Sequence, residues 1–235
     1  MTAIAAILFD KDGTLLDYEK SWGRINRQLA LLAAEGDQAF ADHLLAACGM
    51  DPESGHVVPD SLLAAGSTVD ICEGLIKAGS RLPLDELVPR IDALFSQGSD
   101  HSVPVTDLAG LFGRLKQRGL KLGIASSDNE LSIRRTTERF GFACCVDYVA
   151  GYDSGHGCKP EPGMVFGFSD ATGIKPDRIA VVGDNNHDLH MARNAGAGLA
   201  IAVLTGTGSR QSLAEASDHI LSDITEIEAL LDRLG

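Results

Sequence analysis

The hydrophobic pattern of the chain divides it into three stretches. The first apolar run, Ile4–Leu8, is short, rich in isoleucine and leucine, and soon followed by a glycine turn, which is typical of a central buried strand. Residues 17–103 instead show amphipathic segments rich in alanine and leucine. After Pro104, helical and strand patterns alternate. This order predicts an α/β fold whose parallel sheet is interrupted, after its first strand, by a helical insertion.

The same periodicities and turn residues place the individual elements. Later strands are predicted at residues 120–125, 146–150, 179–182 and 199–203, with a last strand and helix within 219–234. The insertion is predicted to contain helices at 22–34, 38–48, 69–78 and 84–95, and the α/β part helices at 107–117, 131–140, 163–172 and 188–195. The predicted domains are therefore an α/β core of residues 1–16 and 104–235 and a helical domain of residues 17–103.

Two carboxylates follow directly after the first predicted strand. Asp10 and Asp12 are two positions apart in an extended segment, so their side chains lie on one side of it before the turn at Gly13. Open parallel sheets bind their ligands at the carboxyl ends of their strands. Two adjacent anions repel each other, and Mg²⁺ commonly binds one or two carboxylates together with a substrate phosphate. The pair therefore predicts a Mg²⁺ site.

A second acidic cluster follows the strand at 179–182. Asp184 comes directly after that strand and Asp188 lies in the first turn of a helix that starts near Asn186, so both can face one cleft. Each cluster alone is compatible with helix capping, in which an acid only satisfies free backbone N–H groups. Two clusters at parallel strand ends favour a shared metal site instead.

Further polar groups occur in the same setting. Ser126 and Ser127 follow the strand at 120–125, where hydroxyls and backbone N–H groups can bind phosphate oxygens at a helix start. Lys159 lies in a loop stiffened by two prolines. Serines also cap helices, and lysines in loops are usually solvated. These residues therefore indicate a phosphate site only in combination with the acidic clusters that follow the other predicted strands.

Composition limits the partners of the chain. Of its 235 residues, 44% are apolar and 23% charged, as in ordinary globular proteins, and the net charge of −13 argues against nucleic acids and anionic membrane surfaces as partners. The N-terminal apolar run is too short for a membrane span. Five cysteines, without metal-ligand spacing, indicate reduced thiols and a cytoplasmic protein. The oligomeric state is not predictable from these features.

The motifs, in their order, resemble those of the haloacid dehalogenase superfamily, specifically its phosphoglycolate phosphatase-like branch. They are Asp10–Leu15, then Ser126 after its strand, then Lys159–Pro162, then Gly183-Asp184 with Asp188. The resemblance covers the predicted core, and the insertion matches the cap domain of that family in position, length and helical character. It implies a three-layer, Rossmann-like core with a central parallel sheet and an inserted all-helical cap.

The resemblance also implies a mechanism. Asp10 would be the nucleophile that forms an aspartyl-phosphate, which water then hydrolyses. Asp12 would protonate the leaving alkoxide and afterwards deprotonate the water. Lys159 and Ser126 would hold the phosphoryl oxygens and neutralise developing charge. A small-molecule phosphate ester would be the substrate, since relatives that cleave carbon–halogen or carbon–phosphorus bonds have a different residue at the position of Asp12.

The metal set implied by the resemblance is Mg²⁺ held by Asp10, Asp12 and Asp184, with Asp12 contributing its backbone carbonyl and Asp188 in supporting contact. Two alternatives to a phosphatase stay open: a sugar phosphomutase, which uses the same aspartate pair, and a non-catalytic module that binds a phosphorylated ligand. Phosphoglycolate as substrate rests on the branch resemblance alone. Candidate cap contacts to the leaving group are Lys20, Trp22, Arg24, Ser67 and Thr68, although residues of these types on helices and loops are more often ordinary surface or packing residues.

Overall fold

A computed structural model describes residues 3–98 and 102–234. Within them, the strands are β1 (Ala6–Phe9), β2 (Lys121–Ala125), β3 (Tyr148–Ala150), β4 (Ile179–Gly183), β5 (Leu199–Val203) and β6 (His219–Leu221). They form a single sheet in the order β3-β2-β1-β4-β5-β6, with every neighbouring pair parallel. Phe9 pairs with Ile124 of β2 on one side and with Val182 of β4 on the other. β1 therefore lies at the centre of the sheet, and three strands end close together.

The segment between β1 and β2 is helical. Its helices in the described residues are α1 (Tyr18–Ala33), α2 (Gln38–Ala47), α3 (Leu62–Ala65), α4 (Thr68–Lys77) and α5 (Leu84–Gly98). Their apolar side chains, from Tyr18 to Phe95, form a hydrophobic cluster separate from those of the sheet. This separation supports our proposal that residues 17–103 form a domain distinct from 1–16 and 104–235.

Helices cover both faces of the sheet. The remaining helices are α6 (Leu108–Gln117), α7 (Glu130–Arg139), α8 (Gly163–Thr172), α9 (Asn186–Ala195), α10 (Arg210–Leu213) and α11 (Ile227–Leu234). Ile7 and Phe9 of β1 pack in one cluster with α6, α7 and α11, whereas Ala6 and Leu8 pack in another with α8, α9 and α10. Alternate side chains of a strand point to opposite faces, so the four buried residues of β1 serve two cores. The predicted three-layer α/β fold with a helical insertion is confirmed.

The element boundaries differ from prediction in places. The first helix begins at Tyr18 rather than residue 22, because the Asp17 side chain accepts a hydrogen bond from the Lys20 backbone N–H and caps the helix there. The short helices α3 and α10 were not predicted. Each has only four residues, too few to show a helical repeat. In the described part of the chain, no helix combines the length and apolar character required to cross a membrane.

Candidate active site

The ends of the three central strands bring the predicted residues together. Asp10 follows β1, Ser126 follows β2 and Asp184 follows β4, and all three side chains are buried. The Asp10 backbone N–H donates to the Val182 carbonyl, and the Ser126 backbone N–H donates to the Ala150 carbonyl. The hydrogen bonding between strands therefore extends to these two residues. The parallel register explains the convergence, because neighbouring strands that run in the same direction end at the same edge.

Lys159 lies at the centre of the cluster. It enters from the loop between β3 and α8, and its Nζ donates to Asp10 Oδ1 at 2.5 Å and to Asp188 Oδ1 at 2.6 Å. Its side chain is only 2% exposed. Burial alone would lower the pKa of Lys159, but the two carboxylates outweigh burial and raise the pKa above its ordinary value. The side chain is therefore a permanent buried cation.

Three carboxylates form a cluster suited to a cation. Asp10, Asp184 and Asp188 each offer an oxygen atom, and these atoms lie within 4.8 Å of one another. Burial and the neighbouring charges of Asp10 and Asp188 raise the pKa of Asp184 well above its ordinary value. Its Oδ1 atom is buried and has no hydrogen-bond partner. A buried carboxylate with one unpartnered oxygen, close to two further carboxylates, fits a hard divalent cation such as Mg²⁺.

Two glycines leave the space that this cluster needs. Gly13 has φ +83°, and a Cβ there would lie 2.5 Å from Asp184 Cγ. A Cβ on Gly206 would lie 1.8 Å from Asp184 Oδ2. The next residue in that loop, Thr207, donates its backbone N–H to the same oxygen at 2.9 Å. The loop after β5 therefore fixes one oxygen of Asp184 and leaves the other free.

The carboxylate of Asp12 is held by two side chains outside the three clustered carboxylates. Its Oδ1 accepts a hydrogen bond from Trp22 Nε1 at 2.8 Å, and its Oδ2 lies 2.7 Å from Lys11 Nζ. Burial raises the pKa of Asp12 to about 6, helped by the charges of Asp128 and Asp10 and opposed by Lys11. A carboxyl group in this range can both give and take a proton near neutral pH.

The pairing of Lys11 was not predicted. This lysine is buried, and its Nζ also donates to Asp128 Oδ2 at 2.8 Å. In the sequence it is only the residue between Asp10 and Asp12, and its partner is 117 positions away. An acidic residue close behind a serine after a strand was the available signal, but capping acids are common at such positions.

The two predicted phosphate-binding serines differ in their surroundings. Ser126 is buried, lines the pocket beside Asp10, and accepts a hydrogen bond from the Asp128 backbone N–H. As an acceptor there, its hydroxyl keeps its proton available for a phosphate oxygen. The Ser127 hydroxyl instead donates to the Ala65 carbonyl of α3 at 3.1 Å. Ser127 therefore joins the helical domain to the core, and its role as a phosphate ligand stays a prediction.

A pocket opens between this edge of the sheet and the helical domain. On the core side it is lined by Asp10, Asp12, the segment 126–128 and Asn185, and on the helical side by Tyr18, Trp22, Asn26, the segment 63–66, Ile71 and Phe95. Trp22 meets Phe95 edge-on with ring centroids 4.9 Å apart. Of the five candidate cap contacts, only Trp22 is among the described residues that line this pocket.

The other candidate cap contacts have structural roles. Lys20 pairs with Asp17 at the surface, and Arg24 is exposed. Ser67 caps α4, and the Thr68 hydroxyl donates to Asp92 at 2.7 Å.

Comparison with known proteins identifies the family. A family model described as a haloacid dehalogenase-like hydrolase matches residues 4–196. The chain belongs to this family. The resemblance stated from the motifs is thereby confirmed, and so is the prediction that the chain is an enzyme of the hydrolase class.

Individual relatives of this haloacid dehalogenase-like hydrolase carry phosphatase names. The phosphoglycolate phosphatase of Rhodospirillum rubrum is 30% identical over 125 residues, which is 53% of this chain and 50% of that protein. The enolase-phosphatase E1 of a Bradyrhizobium species is 28% identical over 221 residues, or 91% of this chain and 94% of that protein. The chain thus spans half the length of the first relative and nearly all of the second.

Solved structures show the same fold. A crystal structure described as a predicted phosphoglycolate phosphatase from Haemophilus somnus has a TM-score of 0.75 at 19% identity, covering 98% of this chain and 99% of that one. A structure of CbbY from Rhodobacter sphaeroides in complex with phosphate has a TM-score of 0.73 at 21% identity, covering 97% and 99%. At such identities the agreement concerns the fold alone.

Proposed function

We propose that this haloacid dehalogenase-like hydrolase is a Mg²⁺-dependent phosphatase that hydrolyses a small-molecule phosphate monoester in the cytoplasm. The observation that carries the proposal is the arrangement of Asp10. Its carboxylate is held by Lys159, lies beside two further carboxylates and also lines the pocket. The relatives named as phosphatases support the reaction class, and the five cysteines, odd in number and without metal-ligand spacing, support the compartment.

The first half of the reaction forms a covalent intermediate. A carboxylate oxygen of Asp10 attacks phosphorus, and the bond from phosphorus to the ester oxygen breaks. Asp12, protonated at this stage, donates its proton to the departing alkoxide, and its pKa of about 6 permits this near neutral pH. Lys159 and Ser126 contact the phosphoryl oxygens and offset the charge that builds up on them.

The second half releases phosphate. Asp12, now a carboxylate, takes a proton from a water molecule, which attacks phosphorus and displaces the Asp10 oxygen. Trp22 Nε1 and Lys11 Nζ each contact one oxygen of Asp12, so the carboxylate keeps one orientation through both transfers. The residues that would hold Mg²⁺ are Asp10, Asp184 and Asp188, together with the Asp12 backbone as the family resemblance implies. The bound ion would neutralise charge on the transferred phosphoryl group.

The proposal is tested by phosphate release from a panel of phosphate monoesters, with Mg²⁺ and with EDTA. We expect turnover that depends on Mg²⁺. Absence of Mg²⁺-dependent turnover across the panel, in protein shown to be folded, would contradict the proposal. Conversion of a sugar phosphate into its isomer, with little phosphate released, would identify a mutase instead, since the Asp10 and Asp12 pair serves both reactions.

The Asp184→Asn variant tests the metal site while leaving the rest of the fold in place. We expect the variant to be more stable than the wild type by about 1–2 kcal/mol in EDTA, because it removes a buried charge that faces two others. The Thr207 N–H can still donate to the side-chain oxygen of asparagine. Mg²⁺ should raise the melting temperature of the wild type and leave that of the variant unchanged. A variant that keeps the full Mg²⁺ response would exclude Asp184 as a ligand.

A further inference from the structure

The helical side of the pocket is apolar and uncharged. Its lining residues are Tyr18, Trp22, Asn26, Leu63, Ala64, Ala65, Gly66, Ile71 and Phe95. Among the described residues around the whole pocket there is no lysine, arginine or histidine, whereas three aspartates line its core side. The leaving group of a bound phosphate ester therefore meets aromatic and aliphatic surface.

The cations nearest to the pocket are already paired. Lys11 contacts Asp12 and Asp128, and Lys159 contacts Asp10 and Asp188, each at 2.8 Å or less. Each lysine thus faces two carboxylates, and Lys159 is in addition assigned to the phosphoryl oxygens, so neither is left to pair with an anionic leaving group. A carboxylate transferred from water into such surroundings would lose hydration without gaining a cationic partner.

The arginine closest along α1 belongs to a different cavity. Arg27 lines a space beside His56 and Thr207, and its Nη1 donates to the Pro52 carbonyl at 2.8 Å. Neither Asp10 nor Asp12 lines that space. A substituent would have to pass Tyr18, which both cavities share, to reach the guanidinium.

One uncharged hydrogen-bond donor in the pocket, the side-chain amide of Asn26, indicates a polar but neutral contact to the ligand. Asn26 is 1% exposed and lines the pocket near Tyr18, and its Nδ2 atom has no acceptor at hydrogen-bonding geometry. The Tyr18 hydroxyl donates to the Leu63 carbonyl at 2.6 Å, so its own proton is not available to a ligand. An amide N–H in this position can donate to a hydroxyl or ether oxygen of a ligand.

We propose that the substrate is the phosphate monoester of an uncharged alcohol with an apolar body, which packs against Trp22 and Phe95. Esters whose alcohol carries a carboxylate, phosphoglycolate among them, are poor substrates. This inference rests on the proposed phosphatase function and narrows it. It departs from the substrate implied by the branch resemblance, because the pocket offers no cation for the second anionic group.

The test compares esters that differ in one group. Phosphoglycolate and 2-hydroxyethyl phosphate have the same length, and benzyl phosphate adds an apolar ring. We expect kcat/KM to be at least about tenfold higher for each neutral ester than for phosphoglycolate, as one unpaired buried charge implies. Hydrolysis of phosphoglycolate at an equal or higher kcat/KM would overturn the inference and leave the phosphatase function intact.

Binding gives a readout that does not need turnover. Trp22 is the single tryptophan of the chain and lines the pocket, so its fluorescence reports on ligands there. In the Asp10→Asn variant, we expect benzyl phosphate to bind at least about tenfold more tightly than phosphoglycolate. If no ester is hydrolysed yet this preference holds, the phosphatase function fails and the pocket assignment stands. Equal or reversed affinities contradict the pocket assignment.

A charge added to the pocket should reverse the preference. Ala64 lies on α3, is only half-buried and lines the pocket, so it tolerates a longer side chain. Ala64→Lys is expected to raise kcat/KM for phosphoglycolate relative to 2-hydroxyethyl phosphate by about tenfold. Ala64→Met adds similar length without charge and should leave that ratio unchanged. Equal changes in both variants would show that charge does not set the preference.

Discussion

Replacing Asp10 by asparagine is expected to lower kcat/KM for every phosphate ester by on the order of 10⁴-fold or more. A neutral amide is a poor nucleophile, so the covalent intermediate does not form. The fold should persist, because the asparagine oxygen can still accept the hydrogen bond from Lys159. Phosphate release measures the rate. The intact mass after acid quenching shows whether the wild type carries a phosphoryl group that the variant lacks.

The matched control is Asp232→Asn, which also changes one aspartate to asparagine. Asp232 is largely exposed and pairs with Arg118 at the surface, so its replacement should leave kcat/KM unchanged. A phosphoryl group mapped to a residue other than Asp10, or activity of the Asp10→Asn variant within about tenfold of wild type, would contradict the assignment of the nucleophile.

The position of the site was predictable from local patterns. Asp10, Ser126 and Asp184 each follow a short apolar run, and parallel strands at the centre of a sheet end at the same edge. No contact had to be known to bring them together. The strand period and the alternation with helices, both visible over a few residues, were sufficient.

The side-chain partners at that edge were not predictable in the same way. The two-residue spacing placed the side chains of Asp10 and Asp12 on one side of the chain, whereas in the structure the Asp12 carboxylate contacts Trp22 and Lys11. Period-two alternation applies to regular strands, and Asp12 lies in the turn after β1. The direction of a side chain there depends on packing against α1, and Lys11 finds Asp128 far along the chain. The position of Asp12 after β1 was therefore predictable from the sequence, whereas the partners of its side chain were visible only in the tertiary structure.

The substrate preference was not predictable from the sequence, for a related reason. The pocket is completed by residues 63–66, in and after a four-residue helix that shows no periodicity, by three residues of α1, and by one residue each of α4 and α5. Their shared surface exists only once the helical domain has packed on the core. The substrate that the family resemblance implied therefore had no support from the chain's own residues.

Lys159→Met is expected to lower the free energy of unfolding by about 3–5 kcal/mol in EDTA, because it leaves buried carboxylates without their cation. Asp10 and Asp188 both lose a partner within 2.6 Å, and they then repel each other and Asp184. Mg²⁺ should recover part of that loss, since a divalent ion at the same cluster supplies positive charge. Activity with Mg²⁺ should still fall by about 10²–10³-fold, as one contact to the phosphoryl group is missing.

The control is Lys121→Met, in which a lysine of similar length loses an ion pair at the surface. Lys121 Nζ lies 3.1 Å from Asp147, and its side chain is 46% exposed, so we expect a cost below about 1 kcal/mol. Thermal unfolding of both variants is measured with EDTA and with Mg²⁺. Because each variant loses one lysine charge, a difference between them reports on where that charge lies. If Lys159→Met unfolds like the wild type in EDTA, the three carboxylates do not depend on this cation. If Mg²⁺ does not stabilise Lys159→Met at all, the ion does not bind at the cluster that Lys159 neutralises.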